Sequence, residues 1–280
     1  MKAMSSKLLL LIILLFCVLL SGIAEAKDKI EVIVKEGEAV LGEEMTPAQA
    51  RVLALNNARR DAIEQVSGAI VHGSSVVYNF QLISDLVASA TRGVIVKEEI
   101  LEDNIRLEGK QIIYHAKIRA YVKILENRER GNLRILKAEV NRYGSPSSTT
   151  TIVFQENDEI QIKARVNSDS YIHLFNVSQD GLVTKLYPNE YFKAEMTSPE
   201  REFVFPDKKQ RDMGFKIRVR TPRNSNRTVE TMLIIATKRK IDFLMGKKAD
   251  EVTLTDLMQE VSEIDSTLWI ERVVGYEVRR

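Results

Sequence analysis

The first regular pattern of apolar and polar positions is at Ile30–Val34, where apolar side chains flank charged Glu31. Alternation with a period of two is typical of a β-strand.

A helix is predicted from Thr46, which starts a Thr-x-x-Gln capping box with Gln49, to about Ser67. One ridge of this helix has a small or β-branched residue at every fourth position: Ala50, Ala54, Ala58, Ala62 and Val66. Small ridges allow close approach, so we expect the helix to lie flat against a sheet or a second helix.

A second helix is predicted over roughly Ser75–Arg92, where apolar residues recur at spacings of four and three and Gly93 ends the pattern. Two strands follow, at about Val94–Glu102 and Gln111–Ile124, and Gly109 lies in the hairpin between them. The order β-α-α-β-β up to about residue 125 predicts a compact N-terminal domain of the α+β class.

The character of the chain changes after Glu126, because no apolar residue occurs from there to Asn132. We therefore predict a linker at 128–132 between a domain at 27–127 and a second domain at 133–280. The second domain is predicted to be β-rich and sandwich-like, with one or two short helices. Its main predicted strands are Ile160–Val166, Tyr171–Val177, Leu182–Tyr187, Phe215–Val219, Met232–Ala236 and Leu268–Val278, and its main helix is Thr253–Ile264.

The first 26 residues have the pattern of a cleavable signal peptide. Two lysines precede an uninterrupted apolar run from Leu8 to Leu20, and small residues at Ala24 and Ala26 form an A-x-A cleavage site. The only cysteine, Cys17, lies inside the apolar run behind bulky Phe16, which does not suit a lipidation site. We expect export, cleavage after Ala26, and a periplasmic or outer-envelope location.

Composition narrows the classes of function. The whole sequence has a net charge of +2, and removal of the signal peptide brings it close to +1, so no nucleic-acid partner is expected. A mature chain without cysteine has no thiol nucleophile and no cysteine-ligated zinc. Neither the G-x-S-x-G and H-E-x-x-H motifs nor the glycine-rich nucleotide-binding motifs occur. We therefore predict no enzyme activity, no catalytic residues and no cofactor.

Isolated polar residues give little reason for a metal site. The histidines His72, His115 and His173 fall in three different predicted elements, and His173 is expected to be a hydrogen-bonded core residue. An acidic cluster at Glu98, Glu99, Glu102 and Asp103 is expected to be surface, because strand alternation separates its members. No metal ligands are predicted.

One group of basic residues lies near the C-terminal end of the chain. It could contact anionic lipid or peptidoglycan, or it could be a solvated helix end. The group consists of Lys238, Arg239, Lys240, Lys247 and Lys248.

The N-terminal half resembles the N-terminal domain of the flagellar assembly protein T family over about residues 29–125. The resemblance rests on Glu36-Gly37-Glu38-Ala39, the alanine-rich helix, Asn79-Phe80, Asp85, Ser89 and Gly93-Val94. The segment is also similar to a family of small outer-membrane lipoproteins. This resemblance implies an α+β domain that docks onto other envelope proteins.

The second half, about residues 133–280, resembles a domain of unknown function found on the C-terminal side of assorted bacterial proteins, including some kinases and caspase-like proteases. The matching residues are Tyr171-Ile172-His173-Leu174-Phe175-Asn176-Val177, Asp180-Gly181, Leu186-Tyr187-Pro188-Asn189, Glu230 and Ala236-Thr237-Lys238. Because such a module accompanies different catalytic domains, the resemblance implies an accessory or ligand-reading role.

The candidate binding site is a loop with aromatic residues around a Pro-Asn turn: Tyr187, Pro188, Asn189, Tyr191 and Phe192. We expect its aromatic side chains to be exposed and to contact a partner; the alternative is that they fold back onto the core. The function predicted is non-catalytic docking to envelope proteins or to the cell wall, in assembly of an envelope or flagellar-type structure. A periplasmic sensor of a small ligand, or a hydrolase with dispersed Asp, Glu and His residues, are the alternatives. The sequence leaves the oligomeric state open.

Overall fold

The structure is a computed structural model that describes residues 30–42, 45–67, 93–124, 131–145, 152–178, 181–222, 225–247 and 252–280. The predicted signal peptide at 1–26, the predicted second helix at Ser75–Arg92 and residues 128–130 of the predicted linker lie outside these ranges. Strands hold 52% of the structure and helices 18%, so the fold is mostly β-sheet. Within the described ranges, none of the helices has the length and apolar character needed to cross a bilayer.

The N-terminal part consists of β1 (Ile30–Val40), α1 (Pro47–Ser67), β2 (Gly93–Glu108) and β3 (Gln111–Ile124). The three strands form an antiparallel sheet in the order β1-β3-β2. The described elements thus follow the order β-α-β-β. All the N-terminal elements predicted within the described ranges are confirmed, and β1 and β2 are longer than predicted.

Helix α1 packs on β1 and β3 through its small ridge, as predicted. Ala50, Ala54, Ala58 and Ala62 are fully buried against the sheet. The contact is closest at Gly37 in β1, where a Cβ atom would lie 2.5 Å from the backbone nitrogen of Ala58 and closer still to the carbonyl oxygen of Ala54. Backbone therefore lies directly on backbone at this point.

The C-terminal part contains β4 (Ile135–Arg142), β5 (Ile152–Gln155), β6 (Glu159–Val166), β7 (Ser170–Val177), β8 (Val183–Tyr187), β9 (Met196–Thr197), β10 (Phe203–Phe205), α2 (Lys208–Asp212), β11 (Ile217–Arg218), β12 (Arg227–Thr237), α3 (Leu254–Ser262), a 3-10 turn (Ser266–Leu268) and β13 (Trp269–Arg279). One sheet has the order β5-β13-β12-β7-β8, with β9 beside β7. The other has the order β10-β6-β11, with β4 beside β6.

The two C-terminal sheets enclose a common core, which gives the sandwich-like arrangement predicted. From the small sheet, Ile160, Ile162, Ala164 and Val166 alternate inward along β6 and are fully buried. From the large sheet, β7 and β12 contribute Ile172, Leu174, Met232, Ile234 and Ala236. Both β7 and β12 are buried on both faces, because the opposite face of the large sheet carries a second layer. This explains the continuous apolar runs in their sequences.

That second layer joins the C-terminal part to the N-terminal part. Helix α3, with Thr253 as its N-cap, lies between the large sheet and β2, and its buried side chains belong to the same cluster as those of α1. Gln259 in α3 donates a hydrogen bond to the carbonyl oxygen of Ile95 (2.7 Å), and Lys123 pairs with Glu263 (3.1 Å). At Gly131 a Cβ atom would collide with the backbone carbonyl of Thr267. The division into domains at 27–127 and 133–280 stays a prediction.

Candidate docking site

The loop that follows β8 is held in one conformation by Asn189. Its side-chain oxygen accepts hydrogen bonds from the backbone amides of Tyr191 and Phe192 (2.9 Å each), and its amide group donates to the carbonyl oxygen of Leu186 (2.8 Å). The Asn189 backbone amide also donates to the carbonyl oxygen of Phe192 (2.9 Å). Asparagine is suited to this task because its side chain mimics a backbone turn. Pro188, the residue before Asn189, is buried, which anchors the start of the loop to the core.

Tyr187 corrects part of the sequence-based expectation, because its side chain is not an exposed contact. Only 4% of the residue is accessible, and its ring lies 5.0 Å from that of Phe205 and 5.2 Å from that of Phe203. Its hydroxyl donates to the carbonyl oxygen of Lys193 (2.9 Å) and accepts from the amide of Glu195 (3.1 Å). Burial raises the pKa of the phenol. At the end of β8, the ring of Tyr187 therefore points inward and packs on β10, the edge strand of the small sheet.

Phe192 and Tyr191 divide between the core and the surface. Phe192 is half-buried and meets the ring of Phe215 edge-on, with 4.9 Å between ring centres. Tyr191 is 72% exposed, and Met213, two residues before Phe215, is 63% exposed. Phe192 and Phe215 thus form an edge-on pair at the surface, and exposed Tyr191 and Met213 lie one and two positions along the chain from its two members. We call Tyr191, Phe192, Met213 and Phe215 the aromatic patch.

The other residues considered from the sequence do not converge on one site. Glu98 pairs with Arg59 of α1 on one face of the sheet, whereas Glu99 pairs with Arg119 on the other. Within the described residues, no group of three or more His, Cys, Asp or Glu side chains could hold a metal ion. His72 and Lys248 lie outside the described residues. Lys247 pairs with Asp256 at 3.1 Å, and Lys238, Arg239 and Lys240 form an exposed turn after β12.

His115 and His173 are both buried, in different parts of the fold. His115 lies on β3 under the carboxylates of Glu36 (3.5 Å) and Glu102 (3.8 Å). His173 lies on β7, where its Nε2 contacts the hydroxyl oxygen of Thr237 at 3.0 Å and its ring meets Phe243 edge-on. The expectation of a hydrogen-bonded core histidine at 173 is confirmed. Burial lowers the pKa of His173 to about 3.

We expect His173 to make the folded protein sensitive to acid. The folded-state pKa of about 3 is below the ordinary histidine value of 6.5, so the neutral form stabilises the fold fully above pH 6.5, and this contribution is lost as the pH falls toward 3. At pH 5 the loss is about 2 kcal/mol. Urea unfolding of His173→Gln at pH 8 and pH 5 should show a smaller drop in stability than the unchanged protein. An equal drop in both proteins would contradict the assignment.

One polar cluster was not found from the sequence. Glu159 at the start of β6 accepts from Arg211 (2.6 Å), Lys216 (3.0 Å) and Arg218 (3.2 Å), and these cations lower its pKa to about 2. The guanidinium of Arg211 also stacks on the ring of Tyr143, 3.3 Å from its centre. The capping box of α2 would have been the available signal, since Asp207 and Gln210 fix the turn that carries Arg211. The cluster orders the surface beside Phe215.

Comparison with known proteins agrees with part of this picture. Residues 153–240 match a protein family described as a domain of unknown function (DUF4384). The match falls within residues 133–280, for which the sequence indicated a domain of unknown function, and it includes the loop from Tyr187 to Phe192. It does not extend to the N-terminal sheet. No curated protein matches the chain.

Proposed function

We propose that this protein is a non-catalytic docking protein of the bacterial cell envelope, and that the aromatic patch of its β-rich half binds a partner protein. The observation that carries the proposal is the exposure of Tyr191 and Met213 beside the half-buried Phe192–Phe215 pair. Aromatic and methionine side chains are enriched at protein interfaces, and the aromatic rings provide large contact areas at low entropic cost.

The rigidity of the loop supports the same role. The side chain of Asn189 fixes the backbone of Tyr191 and Phe192 through two hydrogen bonds and is itself anchored to the carbonyl oxygen of Leu186 by a third. A partner that binds there has little loop entropy to remove, which favours binding. Edge-on packing of Phe192 against Phe205 and Phe215 fixes the base of the patch in the same way.

The location and the role of the N-terminal half are parts of the same proposal. The signal-peptide pattern at 1–26 supports export to the periplasm or the outer envelope. The resemblance of residues 29–125 to the flagellar assembly protein T family supports docking to an envelope or flagellar-type assembly. In this proposal the N-terminal domain attaches to the assembly, and the β-rich domain presents the aromatic patch to a second envelope protein.

A photo-crosslinking amino acid at position 191 tests the docking role. It should give a discrete crosslinked protein when the full chain is expressed in its native host and the envelope is irradiated. The matched control is position 136, because Leu136 is also an exposed apolar residue of the β-rich half but lies outside the aromatic patch.

A discrete product at position 191 that is missing at position 136, and that disappears when Met213 is also changed to serine, would support the proposal. The same products at both positions, or none at position 191, would contradict it. A product made of glycan strands would assign the patch to the cell wall instead.

A further inference from the structure

Strand β1 is an edge strand with an apolar surface. It pairs with β3 on one side, and no strand within the described residues pairs with its other side. On the face of the sheet opposite α1, Val32 is 57% exposed and Val34 is 44% exposed. Natural sheets normally protect such an edge, because an open row of backbone groups next to β-branched side chains readily takes up another strand.

Two hydrogen bonds show which backbone groups of β1 point outward. The amide of Leu41, just after the strand, donates to Ile112 in β3 (2.8 Å). Because the direction alternates along a strand and the β1–β3 register is unbroken, odd-numbered residues point toward β3 and even-numbered residues point to the outer edge. Accordingly, the carbonyl of Glu38 is not used by β3 and instead accepts from the side chain of Asn57 (2.9 Å). Asn57 closes the edge at Glu38, whereas no strand of the described ranges pairs with the edge at Val32 and Val34.

We propose that β1 pairs with β1 of a second copy of this chain, antiparallel, about a two-fold axis through Ile33. In this register the outward backbone groups of Val32 meet those of Val34 of the second copy, and the same pair forms again across the axis. On the face that carries α1, Glu31 lies opposite Lys35 of the second copy. Pairs of apolar side chains and pairs of opposite charge both stabilise neighbouring strands.

The sequence of β1 disfavours the neighbouring registers. An axis through Glu31 or Lys35 would place like charges face to face. An axis through Val32 or Val34 would place Ile33 opposite a charged side chain. A shift by a single residue would turn each apolar side chain to the wrong face. The segment from Glu31 to Lys35 is therefore self-complementary only about Ile33, which favours a second copy over an unrelated strand.

The pairing also agrees with the position of α1. The helix packs over both β1 and β3, and within the described residues no strand lies on the outer side of β1. Two N-terminal sheets would then form one six-stranded sheet in the order β2-β3-β1-β1-β3-β2. A two-fold contact of this kind closes on itself and leaves no copy of β1 unpaired.

Disulfide crosslinking tests the register directly. Residues that face each other at a non-hydrogen-bonded position have Cβ atoms roughly 4.5–5.5 Å apart, so Ile33→Cys should crosslink two full-length chains under mild oxidation. Cys17, the only native cysteine, is changed to serine in all samples. The matched control is Val40→Cys, an exposed site on the same strand. Two copies of residue 40 would lie about 46 Å apart and should not crosslink.

Charge exchange tests the same register without a cysteine. Sedimentation of the unchanged full chain should show a dimer, and Glu31→Lys or Lys35→Glu alone should raise its dissociation constant by about tenfold. The double exchange should restore the dimer, because the pairs form again with reversed sign. A monomer at all concentrations, a dimer that does not crosslink through position 33, equal crosslinking at position 40, or failure of the double exchange to restore the dimer would overturn the proposal. Binding of an extended segment of another protein to β1 in place of the second copy would also overturn it.

Discussion

Replacing Gly37 with alanine is expected to lower the free energy of unfolding by about 3 kcal/mol. The new Cβ would collide with the backbone of α1 at Ala54 and Ala58, and backbone atoms cannot turn aside as a flexible side chain can. The helix must therefore lift from the sheet, which removes the packing of its whole alanine ridge. Urea unfolding followed by far-UV circular dichroism measures this loss.

Gly42→Ala is the matched control for Gly37→Ala. Gly42 lies just after β1, and a Cβ atom there would meet nothing within 4 Å. The change should leave stability within about 0.5 kcal/mol of the original value, as is usual for surface positions. If Gly37→Ala were as mild as Gly42→Ala, α1 could not lie as close to β1 as described.

Replacing Tyr187 with alanine is expected to cost about 3–5 kcal/mol, as for other large-to-small changes of a buried aromatic residue. The substitution removes a ring packed against Phe203 and Phe205 and leaves the hydrogen-bonding groups of Lys193 and Glu195 without their partner. Thermal and urea unfolding should both report the loss.

Two further variants divide the effect at Tyr187 into its parts. Tyr187→Phe keeps the ring and removes the hydroxyl, so it should cost only about 1 kcal/mol. Tyr191→Ala removes an exposed ring of the same loop and should change stability by less than about 0.5 kcal/mol. Equal losses for Tyr187→Ala and Tyr191→Ala would mean that both rings are in the core, which would remove the basis of the aromatic patch.

Local patterns in the sequence predicted much of the fold. The small ridge of α1, the alternation along β6 and the uninterrupted apolar run of β12 each follow from how an element buries one or both faces. The start of α3 close to Thr253 was predicted because the chemistry of a helix start is local. These predictions needed no information about which strands pair.

The features that were missed depend on contacts between distant segments. The inward turn of Tyr187 is set by Phe203 and Phe205 on another strand, and a Pro-Asn turn does not reveal the direction of the ring before it. The Glu159 cluster depends on Arg211, 52 positions away. The need for glycine at position 37 was also missed, because it arises from the close contact with α1 and not from the sequence of β1 itself. Of the aromatic residues of the candidate loop, Tyr191 and Phe192 reach the surface and Tyr187 does not; the role of the loop in binding stays a prediction.

The close contact at Gly131 has a mechanical consequence for the junction between the two halves of the fold. Because there is no space between the backbone of Gly131 and the backbone of Thr267, Gly131 itself cannot act as a free hinge. The hydrogen bond from Gln259 to Ile95 and the Lys123–Glu263 pair also connect α3 to the N-terminal sheet. A pulling force on the N-terminal sheet would therefore pass through α3 into the large C-terminal sheet, and the two halves would bear the load together.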